Sequence, residues 1–181
     1  LLKGLDIAER LKAPIYFYSA QSPLIMAYSE MGEYKKAKDH FDKIISFPEE
    51  VGMGPSWTNY FKTCLAHVKV MDNQKDIDLG LLYRYASENK LKINDGIMRR
   101  YIGEILLNID DMHMSEAEDW IKKAIEADNR NGMRWHLGRD YALYAELFKR
   151  KGDQSKAKDT LGKTIEIMKE CGADGWVERY E

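Results

Sequence analysis

Apolar side chains recur along this chain at helical spacing. Trp57, Tyr60, Phe61, Cys64, Leu65 and Val68 fall at i, i+3, i+4, i+7, i+8 and i+11, the stripe that one face of an α-helix presents to a core. Ala157, Leu161, Thr164, Ile165 and Met168 mark a second such face. The period-two alternation bounded by hairpin turns that a sheet requires is missing from the sequence. The pattern predicts an all-α chain with helices near residues 1–12, 16–31, 34–47, 56–71, 74–88, 97–110, 115–128, 133–151 and 154–171, and a short terminal helix over 174–180. Pro23 either kinks the second helix or opens it behind Ser22.

Sliding the stretch YSEMGEYKKAKDHFDKII (residues 28–45) along the chain exposes a repeat with a step of 40. Ala37 maps to Ile77, Ala117 and Ala157; Phe41 maps to Leu81, Ile121 and Leu161; Ile45 maps to Tyr85, Ile125 and Ile165. The turn column reads Gly32, Asp72, Met112 and Gly152, and the column four before it reads Tyr28, Val68, Asn108 and Phe148. Each unit parses as two antiparallel helices joined by a tight turn. Gly32-Glu33, Asp72-Asn73 and Gly152-Asp153 supply left-handed or capping residues, and Ser115 with Glu118 forms a capping box in the third copy. Breaks between units fall at Pro48 through Pro55, at Asn94-Asp95-Gly96 and at Asn131-Gly132. A small residue at the crossing lets two helix backbones approach, and the large residue a turn later fills the space beside it. The expected organisation is one repeat domain over 1–181: a partial repeat at 1–12, repeats near 16–48, 56–88, 97–128 and 133–171, and the terminal helix 174–180.

Tyr28, Gly32, Tyr34, Ala37, Phe41 and Pro48, with Phe148, Gly152, Ala157 and Leu161, resemble the tetratricopeptide repeat. The second copy departs at Ile77 and Arg84, and the third at Glu104, Asn108 and Met112. The family unit is about 34 residues long, so a step of 40 implies longer helices or linkers. Asn131 to Glu181 is similar to the carboxy-terminal repeats of multidomain bacterial signalling proteins that join a nucleotide cyclase and an ATPase to a helical tail. The resemblance implies a right-handed α-α superhelix of about four hairpins, whose first helices line a concave groove that takes a protein or peptide. It implies a bacterial signalling role, with other domains of the same chain among the partners.

Composition narrows the choices without changing them. The 44% hydrophobic and 32% charged residues suit a folded chain, and a net charge of -2 gives no global pull toward nucleic acid or an anionic membrane. No apolar run approaches the roughly 18–20 residues of a membrane span. Only Cys64 and Cys171 are present, which favours a reducing, cytoplasmic setting. The start LLKGLDIAERLK reads as the inside of an amphipathic helix, so the chain is expected to be cut from something longer.

The candidate chemistry is binding. His40, His67, His113 and His136 form no HxxxH or HExxH pair, and Asp110, Asp111, His113 and Glu116 read as a solvated turn more readily than as metal ligands. Cys64 lies on an apolar stripe and Cys171 at a helix end, neither with an activating pattern. No phosphate loop and no paired cyclase aspartates occur, so neither catalysis nor a cofactor is expected. The 40-residue step aligns Ser19, Asn59, Arg99 and Arg139 on the first helices, with Lys62, Lys69, Arg100, His136 and Lys149 nearby. Such a ladder suits an acidic peptide or a carboxylate, because Arg offers paired hydrogen bonds. The predicted partner-binding set is Asn59, Lys62, Lys69, Arg99, Arg139 and His136. The alternative function is a small-ligand sensor that controls an attached ATPase or cyclase.

Overall fold

The computed structural model describes residues 2–11, 14–45, 50, 52 and 54–181. Pro48 and most of the expected break before Pro55 lie outside these residues. The described residues form ten α-helices, α1 (Leu2–Arg10), α2 (Pro14–Glu30), α3 (Tyr34–Ile44), α4 (Pro55–Met71), α5 (Leu79–Glu88), α6 (Lys92–Ile109), α7 (Met114–Asn131), α8 (Arg134–Arg150), α9 (Gln154–Glu170) and α10 (Asp174–Tyr180). No strand occurs among the described residues. None of these helices is long and apolar enough to cross a membrane.

Helices pack mainly on elements one or two places away in the chain: α6 on α4, α5, α7 and α8, and α8 on α6, α7 and α9. The pairs run antiparallel. Asn131 at the end of α7 donates to the Lys92 carbonyl at the start of α6, 3.1 Å away, and Arg134 at the start of α8 pairs with Glu170 at the end of α9.

The turns obey the chemistry that the sequence offers. Gly32 and Gly152 take φ of +74° and +78°, and Asn73 takes the same left-handed conformation at 62°. In all three, the N–H of the following residue reaches back to the helix: Glu33 to Tyr28 O, Gln74 to Lys69 O, and Asp153 to Phe148 O. This is the 6→1 bond that closes a helix C-terminus and satisfies an orphan carbonyl.

Three elements, α5, α6 and the entry to α7, differ from expectation, and in α2 one of the two roles left open for Pro23 falls away. α2 runs continuously through Pro23, which therefore does not open the helix. α5 begins at Leu79, capped by the Asp78 carboxylate on the Leu81 N–H, and Lys75 before it donates to the Ile109 carbonyl at 2.7 Å. Ile77 is thus outside the helix, and Leu82 and Ala86, one residue beyond Leu81 and Tyr85, take the buried places. α6 begins at Lys92, so Asn94-Asp95-Gly96 forms its first turn instead of a break. In the third unit Asp110 accepts from the Met112 N–H at 2.9 Å and a 3₁₀ turn, Asp111–His113, leads into α7, leaving Ser115 inside the helix.

The first and third copies bury their small and large repeat positions. Ala37, Phe41 and Ile44 are sealed in one cluster with Phe61, Val68 and Met98. Ala117, Ile121, Ile102, Ile105 and Leu106 are sealed in the next. Each such large side chain contributes about 1.5–3 kcal/mol on burial. α6 meets α7 over glycine. A Cβ on Gly103 would sit 2.9 Å from Ile121 Cγ1 and 3.4 Å from the Ala117 carbonyl, and one on Gly96 would fall 2.0 Å from the Asp128 Cγ. In α8, Gly138 plays the same part against Met168 and Ile167 of α9.

Gly103→Ala is expected to destabilise the fold by about 1–3 kcal/mol in chemical denaturation, because overpacking outweighs the gain in helix propensity. Gly162, with open space where a Cβ would go, is the control: Gly162→Ala should stabilise by about 0.5–1 kcal/mol.

Candidate functional site

Several helices converge on one hollow. A cavity of about 530 Å³ is walled by α6, α8, α9 and α10, and a smaller one of about 140 Å³ by α2, α4, α6, α8 and α10 with Tyr34 of α3. They adjoin, sharing Arg100, Glu104, Arg139 and Arg179.

Arg100 sits at the floor, buried with only 3% of its surface exposed. Its Nη1 donates to Asp140 Oδ1 at 3.0 Å and to the His136 carbonyl at 3.3 Å. Burial works against the guanidinium charge, but the buried Asp140 carboxylate more than offsets it and the group stays protonated. Asp128 of α7 lies against Asp140 and rests where Gly96 has no side chain. Both Asp128 oxygens and Asp140 Oδ2 are buried without a conventional donor. A proton shared between the two carboxyls supplies it. Burial, then the Asp140 charge, pushes Asp128 up to about 8.

Glu104 faces the opposite balance. Burial alone would raise it, but His67, Arg100 and Arg139 overcome that and hold it down at about 2. His67 Nε2 is 3.0 Å from Glu104 Oε2, and its ring stacks on Tyr101 with centroids 4.3 Å apart. His136 is driven the other way, lowered to about 3 by burial and by Arg100 and Arg139. It is a neutral imidazole with a buried Nδ1 lacking a hydrogen-bond partner. It therefore brings no charge to a ligand.

Arg139 is the best-presented cation. Its guanidinium lies 5.3 Å from the Trp135 ring centroid and 4.3 Å from that of Trp176, while its Nη2 donates to Glu30 Oε1 at 2.6 Å. Arg179 of α10 stacks on Trp176 at 4.9 Å and reaches the other oxygen of Glu30 at 3.3 Å.

The six residues named from sequence do not gather in one place. Arg139 lines both cavities, and Lys149, named beside them, lines the larger. Asn59 is buried in α4, where its carbonyl accepts from Thr63, and Lys62 is exposed on the same helix. Lys69 is half-buried and lends its carbonyl to the turn that follows. Arg99 is taken up by Asp95 at 2.8 Å, whose second oxygen holds Arg130 of α7. None of these four lines the cavities described. The inward column of the repeat is Tyr60, Arg100 and Asp140, all buried and one position from Asn59, Arg99 and Arg139. One residue is about 100° around a helix, enough to move a side chain from groove to neighbour. Glu30, Glu104, Trp176 and Arg179 escaped sequence reasoning. The single available signal was the Arg100–Asp140 spacing, which equals the repeat step.

Away from the hollow, Asp110 is occupied as a cap, accepting from Met112 N–H and facing His113 Nδ1 at 2.7 Å. The buried Cys64 thiol is pushed up to about 12 by burial, despite the nearby Tyr60 hydroxyl and Arg100.

Two outcomes follow for the buried charges. The unfolded chain releases the Asp128 proton near pH 4 and the folded chain near 8, so this stabilisation is complete below pH 4 and lost as pH rises through 8. Stability should fall between pH 6.5 and 8 by on the order of 1 kcal/mol per pH unit, and Asp128→Asn should flatten the dependence in thermal melts. Arg100→Ala, which strands the Asp140 carboxylate, should cost about 3–5 kcal/mol in denaturant titrations. Set against family models and against curated proteins, the chain matches none.

Proposed function

We propose that the helical pairs stack as a right-handed solenoid of the tetratricopeptide kind, about four hairpins in one domain, and that its concave groove binds a segment of a partner protein without catalysing a reaction. One observation carries this reading: α2, α4, α6, α8 and α10 all send side chains to one or both of two adjoining cavities, to which the second helices add only Tyr34 of α3 and one face of α9, the last second helix. First helices of stacked pairs do this when they line the inside of a superhelix. Trp135, Trp176, Tyr101 and the stacked Arg139 and Arg179 are residue types that anchor protein interfaces. The buried ionisable groups are committed to one another as Arg100–Asp140, His67–Glu104 and the proton-sharing aspartates. That arrangement favours recognition over an activated nucleophile and base. The resemblance of residues 131–181 to the tails of bacterial cyclase–ATPase proteins supports a regulatory role in the cytoplasm, with a domain of the same chain as one possible occupant.

The volume of about 530 Å³ favours one second reading. It falls within the roughly 300–1,000 Å³ of small-molecule pockets, which suits a sensor that couples a ligand to an attached ATPase or cyclase.

A peptide array and a calorimetric metabolite screen separate the two. Peptide binding that Arg139→Glu weakens at least about tenfold is the expected result. A saturable metabolite response with no peptide binding would establish the sensor instead, and indifference of all binding to Arg139→Glu would remove the groove from either role.

A further inference from the structure

Glu30 closes α2, while Arg139 lies 109 residues on in α8 and Arg179 lies 149 residues on in α10. Extensive helix packing joins only elements one or two places apart, and α2 has no such packing with α8 or α10. Among the described residues, the ion pairs that join these distant elements are the two made by the Glu30 carboxylate.

The arginines are prepared for a carboxylate independently of Glu30. The Trp135 and Trp176 ring centroids lie 5.3 and 4.3 Å from the Arg139 guanidinium carbon. Arg179 rests on Trp176. These ring contacts restrict both side chains, and a planar guanidinium held in place recognises a carboxylate better than a mobile cation does. The link is open to water on one side: the Glu30 side chain is 35% exposed and that of Arg179 57%, while that of Arg139 is 16% exposed. Ion pairs at such exposure are weak and screened, so an equivalent carboxylate can replace this one.

The larger cavity has a surplus of cations. With Arg100 taken by Asp140, Arg139, Lys149, Lys158 and Arg179 share the lining with Glu104 and Glu146, and Glu146 already pairs with Arg150 at 3.0 Å. The same cavity has an unfinished apolar wall. Ala157 and Leu161 occupy the repeat positions at which Ala37 and Phe41, and Ala117 and Ile121, are sealed from water. In the last pair they are only half-buried, because α10 is seven residues long and covers them in part.

We propose, resting on the groove-binding reading above, that Glu30 is an internal stand-in for the ligand: an acidic side chain of a partner peptide displaces it from Arg139 and Arg179, and an adjoining apolar side chain fills the cavity against Ala157, Leu161 and Trp176. The ligand class is an acidic segment in which leucine-like and glutamate-like residues alternate or adjoin. Until it arrives, Glu30 occupies the two arginines.

The probe is the hexapeptide acetyl-(Leu-Glu)3-amide, titrated against the tryptophan fluorescence of the full chain, beside its (Leu-Gln)3 counterpart. Removing the internal competitor with Glu30→Gln should tighten hexapeptide binding about tenfold. Arg179→Gln or Arg139→Lys, added to Glu30→Gln, should reverse that gain, and the glutamine peptide should bind none of the proteins measurably. Arg179 is exposed, so its variant folds whatever becomes of the buried ones. Equal binding to the wild type and to Glu30→Gln, or no hexapeptide binding by Glu30→Gln at millimolar concentration, overturns the stand-in. N-acetylglutamate competing as strongly as the hexapeptide overturns the peptide as occupant. If array peptides bind and are weakened by Arg139→Glu but not altered by Glu30→Gln or Arg179→Gln, the groove stands and the carboxylate anchor falls; an array with no binders removes the groove itself.

Discussion

The guanidinium of Arg100 is buried where α6 meets α8, and it stays charged there because Asp140 is beside it. A charge without a partner in that position would cost several kcal/mol, so the pair fixes the register of one helical unit against the next. The consequences spread outward. Asp140 needs a donor for its second oxygen, Asp128 supplies one by keeping its proton, and Asp128 fits only because Gly96 has no side chain. The Arg100 charge also holds Glu104 ionised and His136 neutral, so the floor of the hollow takes its electrostatic character from one buried pair.

Around this polar centre the rest is close packing. Small residues set the helix crossings, Gly103 and Ala117 between α6 and α7 and Gly138 between α8 and α9. Large neighbours such as Ile121 and Met168 fill what the small ones leave open. Interiors at crystal-like density tolerate little change at such points. The polar triad and the glycine crossings belong to the same contact, since Asp128 and Ile121 lie on one helix and meet Gly96 and Gly103 on the other.

Much of the helical frame was legible because its signals are local. Apolar periodicity placed the helices, and Gly32, Asn73 and Gly152 announced their turns with residues that accept left-handed backbone. The misreadings have local causes as well. Asn94-Asp95-Gly96 looks like a break, yet Asp95 suits the first turn of a helix and Gly96 is there for Asp128. In the second unit Asp78 is the helix cap, so α5 starts only at Leu79 and its buried face falls one residue later than the step predicts. The site was less legible. The 40-residue step found Arg139, but named Arg99 for binding with Arg100 beside it, whereas Arg100 lines both cavities and Arg99 is paired with Asp95.

The sequence by itself determined an all-helical chain, its turns and the small–large pairs at helix crossings, because these depend on spacing within about one helical turn. Only the tertiary structure decided which cations face the hollow, which are neutralised and which residue from a distant helix meets them. Glu30 carries no motif and is separated by 109 residues from Arg139. Its meeting with the stacked arginines depends on the accumulated rotation of every helix between them, which no local pattern encodes.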